Sequence, residues 1–228
     1  MHKQLGFVVT SIMFASMANA SYMIDPFDFT QQLNSSSSSN VATVGVIGGN
    51  RYASITRTSG ALTDSLNINA PSVGALDLSM AAGDDSNMRL LYDGTSNTTG
   101  VNAFSLTGID FSQLGLLTLI RISLESSQAN TLTMKAYKDA SNFSTATVAY
   151  SGDSTFHNLD TPFTSFVATG TGADFTNVKA FEVTISGVPQ QDLQMQFISA
   201  ESPAPEPSTM LLLGGGLVGL GIVARRRR

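Results

Sequence analysis

Apolar and polar residues alternate along most of the middle of the chain. Across residues 119–125, Ile120, Ile122 and Leu124 fall on one side of an extended backbone, and Arg121, Ser123 and Glu125 on the other. Residues 131–138 repeat the pattern, and residues 126–130 between them predict a hairpin connection. Residues 181–185 and 193–198 alternate as well. Further strands are predicted over 41–47, 51–58, 74–80, 88–92, 103–107, 145–150 and 163–169. Period two with β-branched and aromatic residues is the signature of a half-buried strand. Gly, Asn, Asp and Ser separate these segments, and no internal segment keeps a helical period. The pattern predicts an all-β body of about 11 or 12 short strands, an antiparallel two-sheet sandwich or jelly roll, with a barrel as the alternative. Little sign of an aromatic girdle argues against an outer-membrane barrel. The serine run at 35–39 predicts a solvated loop, and offers a site for surface glycosylation.

The two ends break the alternation. Met1 to Gln4 carries the positive Lys3, residues 5–17 are apolar, and Ala18-Asn19-Ala20 follows with small residues at the −3 and −1 positions. That is the three-part layout of a secretory signal peptide over 1–20, with cleavage after Ala20. The apolar stretch is shorter than the roughly 20 residues of a membrane span, which argues against an uncleaved anchor. At the other end, the prolines 203, 205 and 207 cannot be helical, because each fixes φ and lacks a donor. Residues 210–224 then run without a charge, and Arg225, Arg226, Arg227 and Arg228 follow. As a helix the uncharged run is about 22 Å long, a short transmembrane span that snorkelling arginines and local thinning complete. Positive charge stays on the cytoplasmic side, so the body is expected outside and the arginines inside.

Pro205-Glu206-Pro207, the short glycine-rich apolar segment and the arginine cluster together resemble the PEP-CTERM sorting signal of Gram-negative bacteria. The resemblance covers 203–228 and leaves 21–202 as the body. It implies export through the secretory translocon and transient inner-membrane anchoring of the precursor. Recognition by a membrane-embedded exosortase near Pro205, Glu206 and Pro207 follows, then release to the cell surface or outside. Such proteins accompany exopolysaccharide and biofilm loci, so the resemblance also implies a structural or adhesive role there. The chain would be a substrate of the sorting enzyme and no enzyme itself. Residues 25–29, 46–51, 92–94 and 173–178 resemble other PEP-CTERM proteins more loosely, which implies a β-sandwich surface protein and names no ligand.

Composition sharpens this picture. The whole chain of 228 residues has a formal charge of −5, no cysteine and no tryptophan. Between residues 21 and 204 there are seven basic residues and sixteen acids, so the body carries −9. An acidic body argues against a nucleic-acid partner, which needs clustered Lys and Arg. Zero cysteine removes disulfides, thiolate zinc sites and thiol nucleophiles.

Candidate chemistry is sparse. His157 is the one histidine of the body, with Asp153 and Asp160 near in sequence, but no serine is singled out to complete a triad. No motif selects a pair of carboxylates for glycoside hydrolysis. Asp84 and Asp85 in a glycine- and asparagine-bearing turn, with Asp77 upstream, are calcium candidates, since hard oxygen ligands in a loop suit Ca²⁺. The same residues also suit an ordinary solvated turn. No other cofactor is indicated. A carbohydrate-binding module is the alternative function, and a polysaccharide-active enzyme a weaker one. Tyr52, Tyr92, Tyr137 and Tyr150 are available as sugar platforms, or equally as cross-strand packing.

Overall fold

The computed structural model describes residues 21–61, 63–69, 74–96, 99–100 and 102–203. The signal-peptide residues Ala18 and Ala20, the motif Pro205, Glu206 and Pro207, the predicted span and Arg225 to Arg228 lie outside them.

Fourteen strands follow in chain order among the described residues. The first seven are β1 (Ser21–Asp25), β2 (Gln31–Asn34), β3 (Ser37–Ala42), β4 (Asn50–Ser59), β5 (Ser65–Ile68), β6 (Leu76–Ser79) and β7 (Asp85–Tyr92). The rest are β8 (Leu119–Ser126), β9 (Asn130–Tyr137), β10 (Phe143–Tyr150), β11 (His157–Pro162), β12 (Val167–Thr169), β13 (Ala180–Ser186) and β14 (Asp192–Glu201). Every pairing is antiparallel, in two sheets. The first has the order β11-β8-β14-β6-β5-β2, with β1 also paired to β14. The second has the order β12-β10-β9-β13-β7-β4-β3. Strand β14 is shared lengthwise on one edge, its first four residues by β6 and its last four by β1.

The alternation read from the sequence decides which face is buried. Ile120, Ile122 and Leu124 of β8 meet Leu132 and Met134 of β9, Val183 and Ile185 of β13, and Met88 and Leu90 of β7 in one core. Burying each such side chain is worth about 1.5–3 kcal/mol, which is what holds the two sheets face to face. The fold is a sandwich; each sheet ends in free edge strands, so there is no closed barrel.

A polar pin crosses this core. Arg51 of β4 donates through Nη1 to both carboxylate oxygens of Asp25 on β1, each at 2.9 Å. Its Nε donates to Gln31 at 3.0 Å and its Nη2 to the Phe29 carbonyl at 2.7 Å. The Tyr92 hydroxyl and the Phe27 N–H also donate to Asp25, at 2.8 Å each. Each nitrogen of the buried guanidinium finds an acceptor, the condition under which a buried ion pair is tolerated.

Several expectations are corrected. Residues 126–130 do not form a hairpin: β8 lies in the first sheet and β9 in the second, so the segment crosses the sandwich. Both edges of β8 are taken by β11 and β14, and β9 forms its hairpin with β10 instead. The serine run is not wholly a loop. Ser35 and Ser36 make the turn, with Ser36 at φ 58, and Ser37 to Ser39 open the edge strand β3. Beyond Ala42 the strand expected over 41–47 gives way to a loop and the 3₁₀ turn Ile47–Gly49. No strand forms over 103–107, and 163–169 begins as a 3₁₀ turn. Strands β1, β2, β5 and β11 lie outside the predicted segments, and β11 begins at His157.

Candidate functional site

The outer face of the second sheet takes every second residue of its strands. Register sets Ser54 of β4, Arg89 of β7 and Thr184 of β13 in one row, continued by Thr133 of β9 and Thr147 of β10. Thr56, Asn87 and Ser186 form the neighbouring row. These first three and last three residues floor an open groove of about 390 Å³.

At Arg89 the groove meets a wall, the described residues 93–96, 99–100 and 102–107 of the connection after β7, and a single carboxylate closes its base. Asp93 Oδ1 accepts from the Thr95 N–H at 3.0 Å and hydroxyl at 2.9 Å, and Oδ2 accepts from the Ala103 N–H at 2.9 Å. The Ser105 N–H donates to the Asp93 carbonyl at 3.0 Å. Arg89 ties this wall to the floor. Its Nη2 donates to Glu182 at 2.8 Å, and its Nη1 donates to the Gly100 carbonyl. The Tyr137 hydroxyl donates to the same Glu182 oxygen at 3.2 Å, with the Phe104 ring packed on it at 5.6 Å between centroids. Burial, and then the Glu182 charge, push the Tyr137 hydroxyl up to about 12.

The floor therefore offers hydroxyls, one amide and a guanidinium already neutralised by Glu182. Such a surface exchanges hydrogen bonds in several directions and holds little net charge, which suits a neutral polyhydroxylated chain better than an ion. A second, apolar groove of about 330 Å³ lies at one end of the sandwich, lined by Phe29, Ala42, Thr43, Val44 and Gly49.

The residues singled out from sequence are scattered. Asp77 sits on β6 opposite Asn67 and Gln194; burial and the nearby Asp192 raise its pKa. Asp84 is buried and accepts from the Ala61 N–H at 2.9 Å. Asp85 accepts from the Ser59 hydroxyl at 2.8 Å. Among the described residues, no three His, Asp or Glu side chains gather where they could hold a metal ion. His157 Nε2 lies 2.8 Å from Asp153 and 2.9 Å from the Thr155 hydroxyl. The Ser151 hydroxyl contacts Asp153 rather than the imidazole, at 3.3 Å, so the order needed for a nucleophilic triad is not formed. Asp160 pairs instead with Arg121, at 2.6 Å.

The four tyrosines are all buried: Tyr52 and Tyr137 near the 93–107 wall, Tyr92 on Asp25, and Tyr150 accepting from Gln191 at 2.6 Å. They are packing residues and not open platforms. The groove residues escaped the sequence reading. Their only signal is polarity at every second position, 54/56, 87/89 and 184/186, which any solvated strand face shares.

Residues 203–228 match the PEP-CTERM protein-sorting motif. The chain thus carries, behind an all-β sandwich, the signal of an exported, exosortase-sorted protein. Among solved structures, the family 11 carbohydrate-binding module from Clostridium thermocellum in complex with a β-1,3-1,4-mixed-linked tetrasaccharide is 12% identical. It covers 83% of this chain and 99% of its own, at a TM-score of 0.42. CBM29_1, a family 29 carbohydrate-binding module from Piromyces equi, is 7% identical over 76% of this chain and 91% of its own, at 0.37. The agarase AgWH50C is 10% identical over 67% of this chain and 23% of its own, at 0.41. No curated protein matches the chain.

Proposed function

We propose that the protein is a structural or adhesive component of an exopolysaccharide matrix. A signal peptide over 1–20 exports it, and the tail 203–228 holds the precursor in the inner membrane with the sandwich outside. An exosortase acts near Pro205, Glu206 and Pro207, and the body passes to the cell surface or the medium. The observation that carries this reading is the sorting motif at 203–228, placed directly after the last strand of a folded body. Replacing Pro205 and Pro207 together by alanine in an exosortase-bearing host is expected to leave the full-length precursor in the membrane fraction. Unchanged size and unchanged release sink the proposal.

The groove on the second sheet favours a second, compatible reading, in which the body holds polysaccharide through Ser54, Thr56, Asn87, Arg89, Thr184 and Ser186. This is a binding role without turnover. A glycan array probed with the body should show retention that the pair Asn87→Ala and Thr184→Ala weakens. A flat array removes this reading and leaves the first standing.

A further inference from the structure

We infer that one end of the sandwich is built to rest on a lipid bilayer, through the loop that presents Leu114 and Leu116. The inference rests on the tail reading proposed above.

The chain leaves the sandwich at this end. Strand β14 stops at Glu201, whose carbonyl accepts from the Thr118 N–H at 2.9 Å, so the loop 111–117 adjoins the point of exit. The uncharged run begins at residue 210, seven residues beyond 203. Fully extended, that stretch spans at most about 25 Å. The apolar segment therefore starts within a short reach of this loop.

The loop itself is a held display and not a slack connection. Its feet, Phe111 and Leu117, are buried, while Leu114 is 94% exposed and Leu116 65%. Gln113 and Leu114 stand at φ 45 and 61, left-handed conformations that disfavour a side chain. The Asp110 carboxylate fixes them: it accepts from the Ser112 N–H at 2.8 Å, the Ser112 hydroxyl at 2.6 Å and the Leu114 N–H at 2.9 Å. A solvated turn would place Gly or Asn where Leu114 stands.

Two other exposed apolar side chains lie at the same end. Val44, wholly exposed, tips the β3–β4 connection, beside Phe29 in the apolar groove. Register puts that connection at the end where β7 finishes at Tyr92, whose neighbour Phe181 packs on Phe111 at 5.4 Å. Of the remaining exposed large apolar residues, Met23 and Val167 lie on strands and Phe156 lies at the opposite end. Single exposed apolar residues are ordinary; two leucines held rigidly at the point of departure toward an apolar tail, with Val44 and Phe29 at the same end, are a membrane contact. Glu201 beside the loop is paired with Arg121, at 2.8 Å, and Asp110 keeps its charge, stabilised by N–H and hydroxyl donors of the loop itself.

The natural absence of tryptophan makes the test clean. Full-length chains carrying Leu116→Trp, or Phe156→Trp at the opposite end, are reconstituted into phosphatidylcholine vesicles with brominated acyl chains and floated. The expected result is co-flotation, at least twofold quenching of the residue-116 reporter, loss of that quenching on adding Leu114→Ser, and no quenching at residue 156. Co-flotation without quenching at 116 overturns this inference and leaves the tail reading intact. Equal quenching at both positions overturns it too, since the body then has no preferred end. A concentration-dependent blue shift at 116 without lipid assigns the face to a second copy and overturns it. A chain that fails to float overturns both.

Discussion

Arg51 and Asp25 sit on opposite sheets and meet at 2.9 Å with both side chains fully buried. They join the start of β4 to the end of β1 across the core. Removing one partner leaves the other charge stranded. Arg51→Met is expected to cost about 3–5 kcal/mol in urea unfolding, and Asp25→Leu in the same chain to restore much of it. A single-variant loss below about 1 kcal/mol contradicts this account of the pin.

Glu182 accepts from both Arg89 and Tyr137 beneath the 93–107 wall. Glu182→Gln removes the charge that helps hold the Tyr137 hydroxyl at about 12. The tyrosinate transition followed by ultraviolet absorption should move down, yet stay above the ordinary value of about 10, because burial is the larger cause. No movement would show that the pair does not form.

The hydrogen bond from His157 lowers the Asp153 carboxyl to about 2. Its unfolded value is about 3.9. A depressed acid contributes stability that is complete above the unfolded value and is lost as pH falls through the folded one, so the window runs from about pH 4 down to about 2. Both groups are exposed, so the effect on unfolding is small and the titration itself is the readout. Carboxyl NMR of His157→Gln should show the Asp153 midpoint rise; an unchanged midpoint rules out the contact.

Gly60 and Gly83 share nearly the same left-handed φ, +85 and +86, in different surroundings. A Cβ at Gly60 would lie 1.6 Å from Asp84 Oδ1 and 2.8 Å from its Cα, whereas at Gly83 nothing among the described residues lies within 4 Å. Gly83→Ala should show the conformational cost alone, about 1–3 kcal/mol, and Gly60→Ala clearly more. Equal losses in thermal unfolding would mean that the Asp84 contact costs nothing.

The long alternating runs were legible because period two survives any tertiary arrangement. Strands β8, β9, β13 and β14 stand where the pattern puts them. Short strands with little apolar content were not legible: β2 shows one leucine between polar residues, and β11 reads His157-Asn158-Leu159-Asp160, as a loop would. The 103–107 segment alternates like a strand, but Asp93 takes the Ala103 and Ser105 N–H groups, the Lys179 carbonyl takes that of Leu106, and no strand among the described residues pairs with it. For the candidate site, polarity of the strand faces was visible, but not which polar positions fall side by side.

The sequence alone determined the all-β class, the acidic cysteine-free body and the sorting tail, because alternation, composition and an ordered motif are properties of neighbouring residues. Only the tertiary structure decided strand partners. It sent β8 and β9 to different sheets, set Ser54, Arg89 and Thr184 in one row, and brought Arg51 to Asp25. Those relations depend on which edges remain free once the core has closed, and the order of residues along the chain does not encode them locally.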